Sequence, residues 1–327
     1  MKQKKINVKA PATVANLVCG FDILGMALYN PFDQIQLTLL DQPVIRITHT
    51  DGFGLPEEPE NNVMGVALMA MLREIPGSIG FEVVCRKGIK PGSGIGSSAA
   101  SAAGAVAGAN KLLGNRFSLS DLIRFAMEGE KLASGARHAD NVAPAIYGGI
   151  TLIRSTSELD IIRIPAPELF VTIIHPQIEV KTSDARQILK TRIELKDAVI
   201  QWGNVAGLVA GLLSNDYGLI SRSLKDVIVE PQRSILIPGF PEVKAAGLRA
   251  GALGGGISGS GPALFMMSSN ADTANKVEQE ARLIYKAMNL EVECYVSTVN
   301  PHGVTEESDD AIAIPDYSLS NKKDALL

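Results

Sequence analysis

Pro91-Gly92-Ser93-Gly94-Ile95-Gly96-Ser97-Ser98-Ala99-Ala100-Ser101-Ala102-Ala103-Gly104 is the stretch on which the reading of this chain turns. Glycines and small hydroxyl residues run unbroken into an alanine-rich segment that must be helical. Such a turn leaves several backbone N–H groups unpaired at the positive end of a helix, with no side chains to block approach. A multiply charged anion fits there, most naturally the phosphates of a nucleotide. The helix itself, expected over Ser97–Leu113, is nearly all Ala, Gly and Val, so it should be buried all round and closely packed.

Two familiar nucleotide motifs are excluded. No Gly-Lys-Ser/Thr occurs anywhere, so there is no Walker A loop. Gly254, Gly256 and Gly259 satisfy G-x-G-x-x-G literally, but a helix-like stretch (Pro241–Ala250) precedes them and a strand-like run (Ala263–Met267) follows. The dinucleotide fingerprint needs strand before and helix after, so this is not a Rossmann site.

Outward from the loop, composition sets the frame. A chain of 327 residues with 46% hydrophobic content can bury a large core and is expected to form two domains. A net charge of -4 without any Lys/Arg block argues against nucleic acid or an anionic membrane as the main partner. Apolar stretches stop well short of the ~18 residues a membrane span needs. The N-terminal Met1-Lys2-Gln3-Lys4-Lys5-Ile6 has no apolar region after it and is not expected to be a secretory signal. Cys19, Cys85 and Cys294 are odd in number and widely spaced, which excludes a disulfide framework and a C-x-x-C metal clip and points to a reducing, cytoplasmic compartment.

Periodicity predicts strands at Ile6–Lys9, Phe32–Leu40, Val44–Thr48, Phe81–Arg86 and Gly149–Arg154, with helices at Val63–Glu74 and Ser118–Ala133 beside the alanine helix. Ser118 or Ser120 can cap the Ser118 helix, with Asp121 in its first turn. Polar Ser155–Asp160 and then Pro165-Ala166-Pro167 mark the expected boundary between domains. Beyond it, strands are expected at Ile161–Ile164, Leu169–His175, Leu253–Ser258, Ala263–Met267 and Glu291–Ser297, and helices at Ile193–Leu213, Pro241–Ala250 and Ala271–Met288. The alternation suggests two α+β domains with layered sheets, followed from about Glu306 by a loosely ordered tail.

Chemistry-bearing residues gather in five further segments: Pro11–Asp22 with Asn16 and Asp22; Glu130–Asn141 with Glu130, His138, Asp140 and Asn141; Lys181–Arg186; Glu230-Pro231-Gln232-Arg233; and the glycine loop Gly254–Pro262. With the phosphate loop, they resemble the GHMP kinase superfamily and, within it, the homoserine kinase family. Motif one is Pro11 to Gly25, motif two Pro91 to Ala100, motif three Gly254 to Pro262. Thr182-Ser183-x-Ala185-Arg186 and Glu230-Pro231-x-Arg233 carry the narrower resemblance. Pro91 stands one residue closer to the glycines than usual, Ile95 replaces Leu, and Val18-Cys19 stands where Gly-Pro is common.

The resemblance implies an α+β GHMP kinase fold, with an N-terminal ribosomal-protein-S5-domain-2-like ATP-binding domain (1–157), a ferredoxin-like C-terminal domain (158–305) and a tail (306–327). It implies ATP-dependent phosphorylation of the L-homoserine hydroxyl, with Mg²⁺ held by Ser98 and Glu130, and a homodimer. ATP would lie on Pro91, Gly92, Ser93, Gly94, Ile95, Gly96, Ser97, Ser98, Ala99 and Ala100, with Asn62, Val63 and Lys87 as adenine walls. For the zwitterionic acceptor, guanidinium forks suit the carboxylate (Arg186, Arg233) and a carboxylate suits the ammonium (Asp22). Asn16, His138 and Gly259 are its expected neighbours. The position where related kinases place a catalytic Asp is Asn141. An amide takes no proton near neutral pH, so Asn141 is expected to orient the hydroxyl while the proton passes to the γ-phosphate; Asp140 is the rival base. Other readings are a mevalonate- or sugar-type kinase of the same superfamily, and a non-catalytic binding protein that would lack the metal carboxylate or the loop glycines.

Overall fold

The computed structural model describes residues 4–180 and 182–307. In chain order its strands are β1 (Lys5–Ala15), β2 (Leu24–Leu40), β3 (Ile45–His49), β4 (Gly80–Arg86), β5 (Ile150–Ser155), β6 (Asp160–Ile164), β7 (Phe170–Pro176), β8 (Gly254–Ile257), β9 (Leu264–Ser268), β10 (Val292–Thr298) and β11 (Thr305–Glu306). Its α-helices are α1 (Val63–Leu72), α2 (Ser97–Leu112), α3 (Leu119–Ser134), α4 (Val142–Tyr147), α5 (Thr182–Gln187), α6 (Leu195–Ser214), α7 (Tyr217–Ser223), α8 (Glu230–Arg233), α9 (Phe240–Arg249) and α10 (Ala271–Ala287).

The first sheet runs β11-β1-β2-β4-β3, with β5 on the early part of β2 and β6 outside β5. Helix α2 lies flat on β1 and β2. A Cβ on its Gly104 would stand 2.6 Å from Ile35 Cδ1 and 2.9 Å from Ala10, so glycine is what allows the approach. This bears out the close packing expected of the alanine helix. Helix α3 starts with a full capping box between Ser118 and Asp121 and packs on α1, where a Cβ on Gly129 would reach within 2.5 Å of the Val63 carbonyl. The second sheet, β10-β7-β9-β8, is antiparallel throughout. Alternation splits its side chains: Ile174, Leu264 and Met266 meet Phe240 and Val243 of α9 and Val277 and Tyr285 of α10, whereas Val171, Ile173, Phe265 and Met267 join the main core.

Some expectations change. The strand expected over Ile161–Ile164 forms as β6, but it pairs with β5 and extends the first sheet to Ile164, beyond the expected 157/158 boundary. Residues 156–159 therefore form a hairpin turn between the paired Ser155 and Asp160; Pro165-Ala166-Pro167 marks the passage to the second sheet. The first strand, expected over Ile6–Lys9, continues into motif one through Pro11–Ala15, with a register jump from Pro11↔Phe32 to Thr13↔Ala27 that a local pattern does not signal. Short α4, α5, α7 and α8 were not anticipated, being too brief to show a helical period. The expected tail lies, past Glu307, outside the described residues.

Candidate active site

A cavity of about 370 Å3 opens between the N-terminus of α2, the end of α3, the turn before α4, and the segments of Arg186, Arg233 and Gly259. Its floor is the phosphate loop. Gly92, Gly94 and Gly96 all adopt left-handed φ (+73°, +85°, +71°), which winds the chain into a turn that L side chains resist. The first helical bond of α2 runs from Ala100 N–H to the Gly96 carbonyl at 2.8 Å, so the amides of Ser97, Ser98 and Ala99 precede it and have no partner within the helix. Motif three braces this loop from behind. Ser258 Oγ donates to the Gly94 carbonyl (2.8 Å), and Ala263 N–H donates to the Ser93 carbonyl (3.1 Å).

The capping box and apolar face of α3 bring Glu130, in its last turns, to the cavity wall. The carboxyl is buried, and its Oε1 has no hydrogen-bond partner. Burial pushes the Glu130 pKa up, opposed by Ser98 and by the Lys87 charge. A buried carboxylate beside a hydroxyl is a donor set suited to a hard cation. Asp140 is likewise buried with Oδ1 unpartnered, and its pKa rises to about 7, first from burial and then from the charges of Asp22 and Glu130.

Opposite the loop stand the acceptor candidates. Arg186 Nη2 grips both oxygens of Asp22 at 3.1 and 3.0 Å, and His138 Nδ1 lies 3.9 Å from the same carboxylate. Burial, opposed by Asp22, holds the His138 pKa below its ordinary value. Buried Arg233 donates from Nε to the Ala185 carbonyl (2.8 Å) and from Nη1 to the Gly259 carbonyl (3.0 Å), and stacks over Phe21 at 5.0 Å. Desolvation lowers its pKa, a cost that a bound carboxylate would offset. Asn16 spends its amide within the protein: Nδ2 donates to the Gly259 carbonyl and Oδ1 accepts from Asp22 N–H, fastening motif one to motif three. Asn16, Leu17, Val18 and Asp22 all have positive φ; for β-branched Val18 this is strained backbone.

The cavity brings together Pro91, Gly92, Gly94, Gly96, Ser97, Ser98, Glu130, Asn16, Asp22, His138, Asn141, Arg186, Arg233, Gly259 and also Asp140. Ser93, Ile95, Ala99 and Ala100 are buried beneath the loop. Two of the expected adenine-wall residues have their polar groups engaged elsewhere in the fold. Asn62 does not line the cavity: it caps α1 through Met64 N–H and donates to Pro56 O and His49 Nε2, which uses its amide fully. Lys87 does line it, but its Nζ is turned inward onto Asp33, the Ser97 carbonyl and Ser101 Oγ, leaving no N–H for a base. Val63 does border the cavity, with Leu55, Ala133 and Ser134. Thr13, which no sequence signal singled out, sits behind Asn141 and donates to its Oδ1 at 2.7 Å.

Comparison with known proteins identifies the family. The GHMP kinases N terminal domain family matches residues 61–149, and the GHMP kinases C terminal family matches residues 208–287. A homoserine kinase of Chlorobium phaeobacteroides is 46% identical over 92% of this chain and 98% of its own length; one of Methanococcus vannielii is 42% identical over 80% and 87%. A homoserine kinase crystal structure from Cytophaga hutchinsonii superimposes with a TM-score of 0.90 at 50% identity, covering 94% of this chain and 98% of that one. At 15% identity, L. major mevalonate kinase shares the fold (TM-score 0.68). Loop, cavity and relatives lead to one placement: the chain belongs to the homoserine kinase family of the GHMP kinases.

Proposed function

We propose that this chain transfers the γ-phosphoryl group of ATP to the side-chain hydroxyl of L-homoserine, forming O-phospho-L-homoserine on the route to threonine. The observation that carries the reading is a single cavity joining an amide-lined anion loop to a paired carboxylate and two guanidinium groups. ATP phosphates lie on the amides from Gly92 to Ala99. Glu130 and Ser98 would hold Mg²⁺, which would offset phosphate charge during transfer. The homoserine ammonium exchanges with Arg186 as the partner of Asp22, and its carboxylate takes Arg186 and the free edge of Arg233. Asn16, His138 and Gly259 frame the amino acid.

Transfer proceeds by in-line positioning, because a loose phosphoryl-transfer transition state asks little activation of the nucleophile. Asn141 orients the hydroxyl, and the proton passes to the γ-phosphate. One observation favours a second reading: Asp140 carries an unpartnered oxygen and feels both Asp22 and Glu130, the carboxylates at the two ends of the proposed transfer path. If Asp140→Asn abolishes turnover while ATP and homoserine still bind, Asp140 is the proton acceptor.

ADP release measured against homoserine, mevalonate and galactose tests the substrate. Homoserine alone should support turnover. A mevalonate- or galactose-only response would refute the reading, and no release with any of them, with ATP bound, would favour a binding protein. We further assign a homodimer. In support, Leu195, Val199, Trp202 and Leu213 expose an apolar stripe along α6, at 71%, 55%, 62% and 57% of their surface. Cys19, Cys85 and Cys294 are free thiols, which suits a cytoplasmic enzyme. No helix among the described residues is long and apolar enough to cross a membrane.

A further inference from the structure

Thr13 stands in a strand yet spends neither its N–H nor its hydroxyl on a neighbouring strand. The register jump between Pro11↔Phe32 and Thr13↔Ala27 leaves residues 28–31 of β2 unpaired with β1. At that break Thr13 N–H turns to the phosphate loop and donates to the Ile95 carbonyl at 3.1 Å. Its hydroxyl, fully buried with the rest of the residue, donates to Asn141 Oδ1 at 2.7 Å.

Asn141 is diverted in turn. It occupies the N-cap of α4, where an Asn side chain ordinarily accepts from the first-turn amides, but it makes no capping bond. The last glycine of the phosphate loop closes over the pair: a Cβ on Gly96 would collide with Thr13 Oγ1 and stand 2.9 Å from Asn141 Oδ1. With Oδ1 engaged from behind, Nδ2 is the end of the carboxamide left for the cavity that Asn141 lines. That end only donates.

We infer that Thr13 is a positioning residue of the transfer step, locking the Asn141 carboxamide with Nδ2 toward the reacting oxygens while its backbone N–H ties the same strand to the phosphate loop. The inference rests on the homoserine kinase reading for the identity of those oxygens. Asn141 thereby holds the acceptor hydroxyl through its oxygen and leaves its proton free to depart elsewhere.

A double-mutant cycle on the full chain tests this. Thr13→Val keeps the shape and removes the hydroxyl; kcat should fall about tenfold with KM for ATP and homoserine within about twofold. Thr13→Ser should recover kcat to within about twofold of wild type, and Thr13→Val should have no further effect in an Asn141→Ala background. Wild-type turnover by Thr13→Val, a Thr13→Ser as slow as the valine variant, or losses that multiply with Asn141→Ala would overturn the inference. If the valine variant does not fold, Thr13→Ser against Thr13→Ala isolates the same hydroxyl. A second readout is independent of substrate identity. In protein labelled with 15N-asparagine, the Asn141 side-chain amide signal, identified by its loss in Asn141→Ala, should move in Thr13→Val (or Thr13→Ala) and return in Thr13→Ser. An unmoved signal overturns the inference even if the true acceptor is another alcohol. Absence of homoserine turnover by wild type refutes only the substrate.

Discussion

Lys87→Met is the sharpest perturbation this structure offers, because it separates an ammonium that holds the fold from one that holds a base. The Lys87 side chain is 1% exposed and Asp33 is 0% exposed, so the pair is dry. Nζ meets Asp33, the Ser97 carbonyl at 2.7 Å and Ser101 Oγ at 2.7 Å, while Asp33 Oδ1 also accepts from Gly88 and Ile89 N–H at 3.1 and 3.0 Å. Together these join β2, the segment after β4 and the first turn of α2. Removing one partner of such a pair strands a buried charge, which costs about 3–5 kcal/mol. For a chain of 327 residues, an unfolding entropy of roughly 0.7 kcal/mol/K converts this to about 4–7 °C in Tm. Methionine matches the lysine stem in length, so little of the loss reflects packing. Urea unfolding followed by far-UV circular dichroism measures the change, and ATP calorimetry accompanies it. Replacing both partners, as Lys87→Met with Asp33→Asn, should recover about half of the loss, since no uncompensated charge remains. A Lys87→Met protein within about 1 kcal/mol of wild type but with ATP affinity strongly reduced would refute this reasoning and return Lys87 to the adenine wall.

Three other outcomes follow from the site. Asp140, with a folded pKa near 7 against an ordinary value of 3.8, binds more protons folded than unfolded. Wild-type stability should therefore fall as pH rises from about 4 to 7, and Asp140→Asn should flatten that limb and be more stable at pH 8 by on the order of 1–4 kcal/mol in denaturant titrations. Glu130→Gln should cut kcat by about 100-fold or more and abolish the dependence of ATP affinity on Mg²⁺, while raising the Tm of the ligand-free chain, because a charge disfavoured by burial is gone. Arg233→Lys loses the planar fork; KM for homoserine should rise about tenfold or more with KM for ATP unchanged, as initial-rate kinetics will show.

How much of this was legible in the sequence depended on whether the cause was local. The phosphate loop was legible because left-handed turns need glycine at Gly92, Gly94 and Gly96, and the alanine helix because its small side chains had no other use than close packing. Arg186 and Asp22 could be matched by charge to an amino acid before their contact was seen. The orientation of Lys87 could not, since it depends on Asp33 lying 54 positions away on another strand. Asn62 reads equally as a cap or a base contact until His49 and Pro56 are folded against it. Thr13 gave no sign at all: its importance comes from a register jump and from Asn141, 128 residues later.

The Asp22–Arg186 pair has a consequence for selectivity. Each group satisfies the other, so neither of these two charges stands alone at the pocket. An incoming alcohol bearing one charge would release a partner and leave it stranded, whereas an amino acid arrives with a replacement for both. Rejection of singly charged alcohols would then come from the broken marriage they leave behind rather than from any clash with the pocket wall.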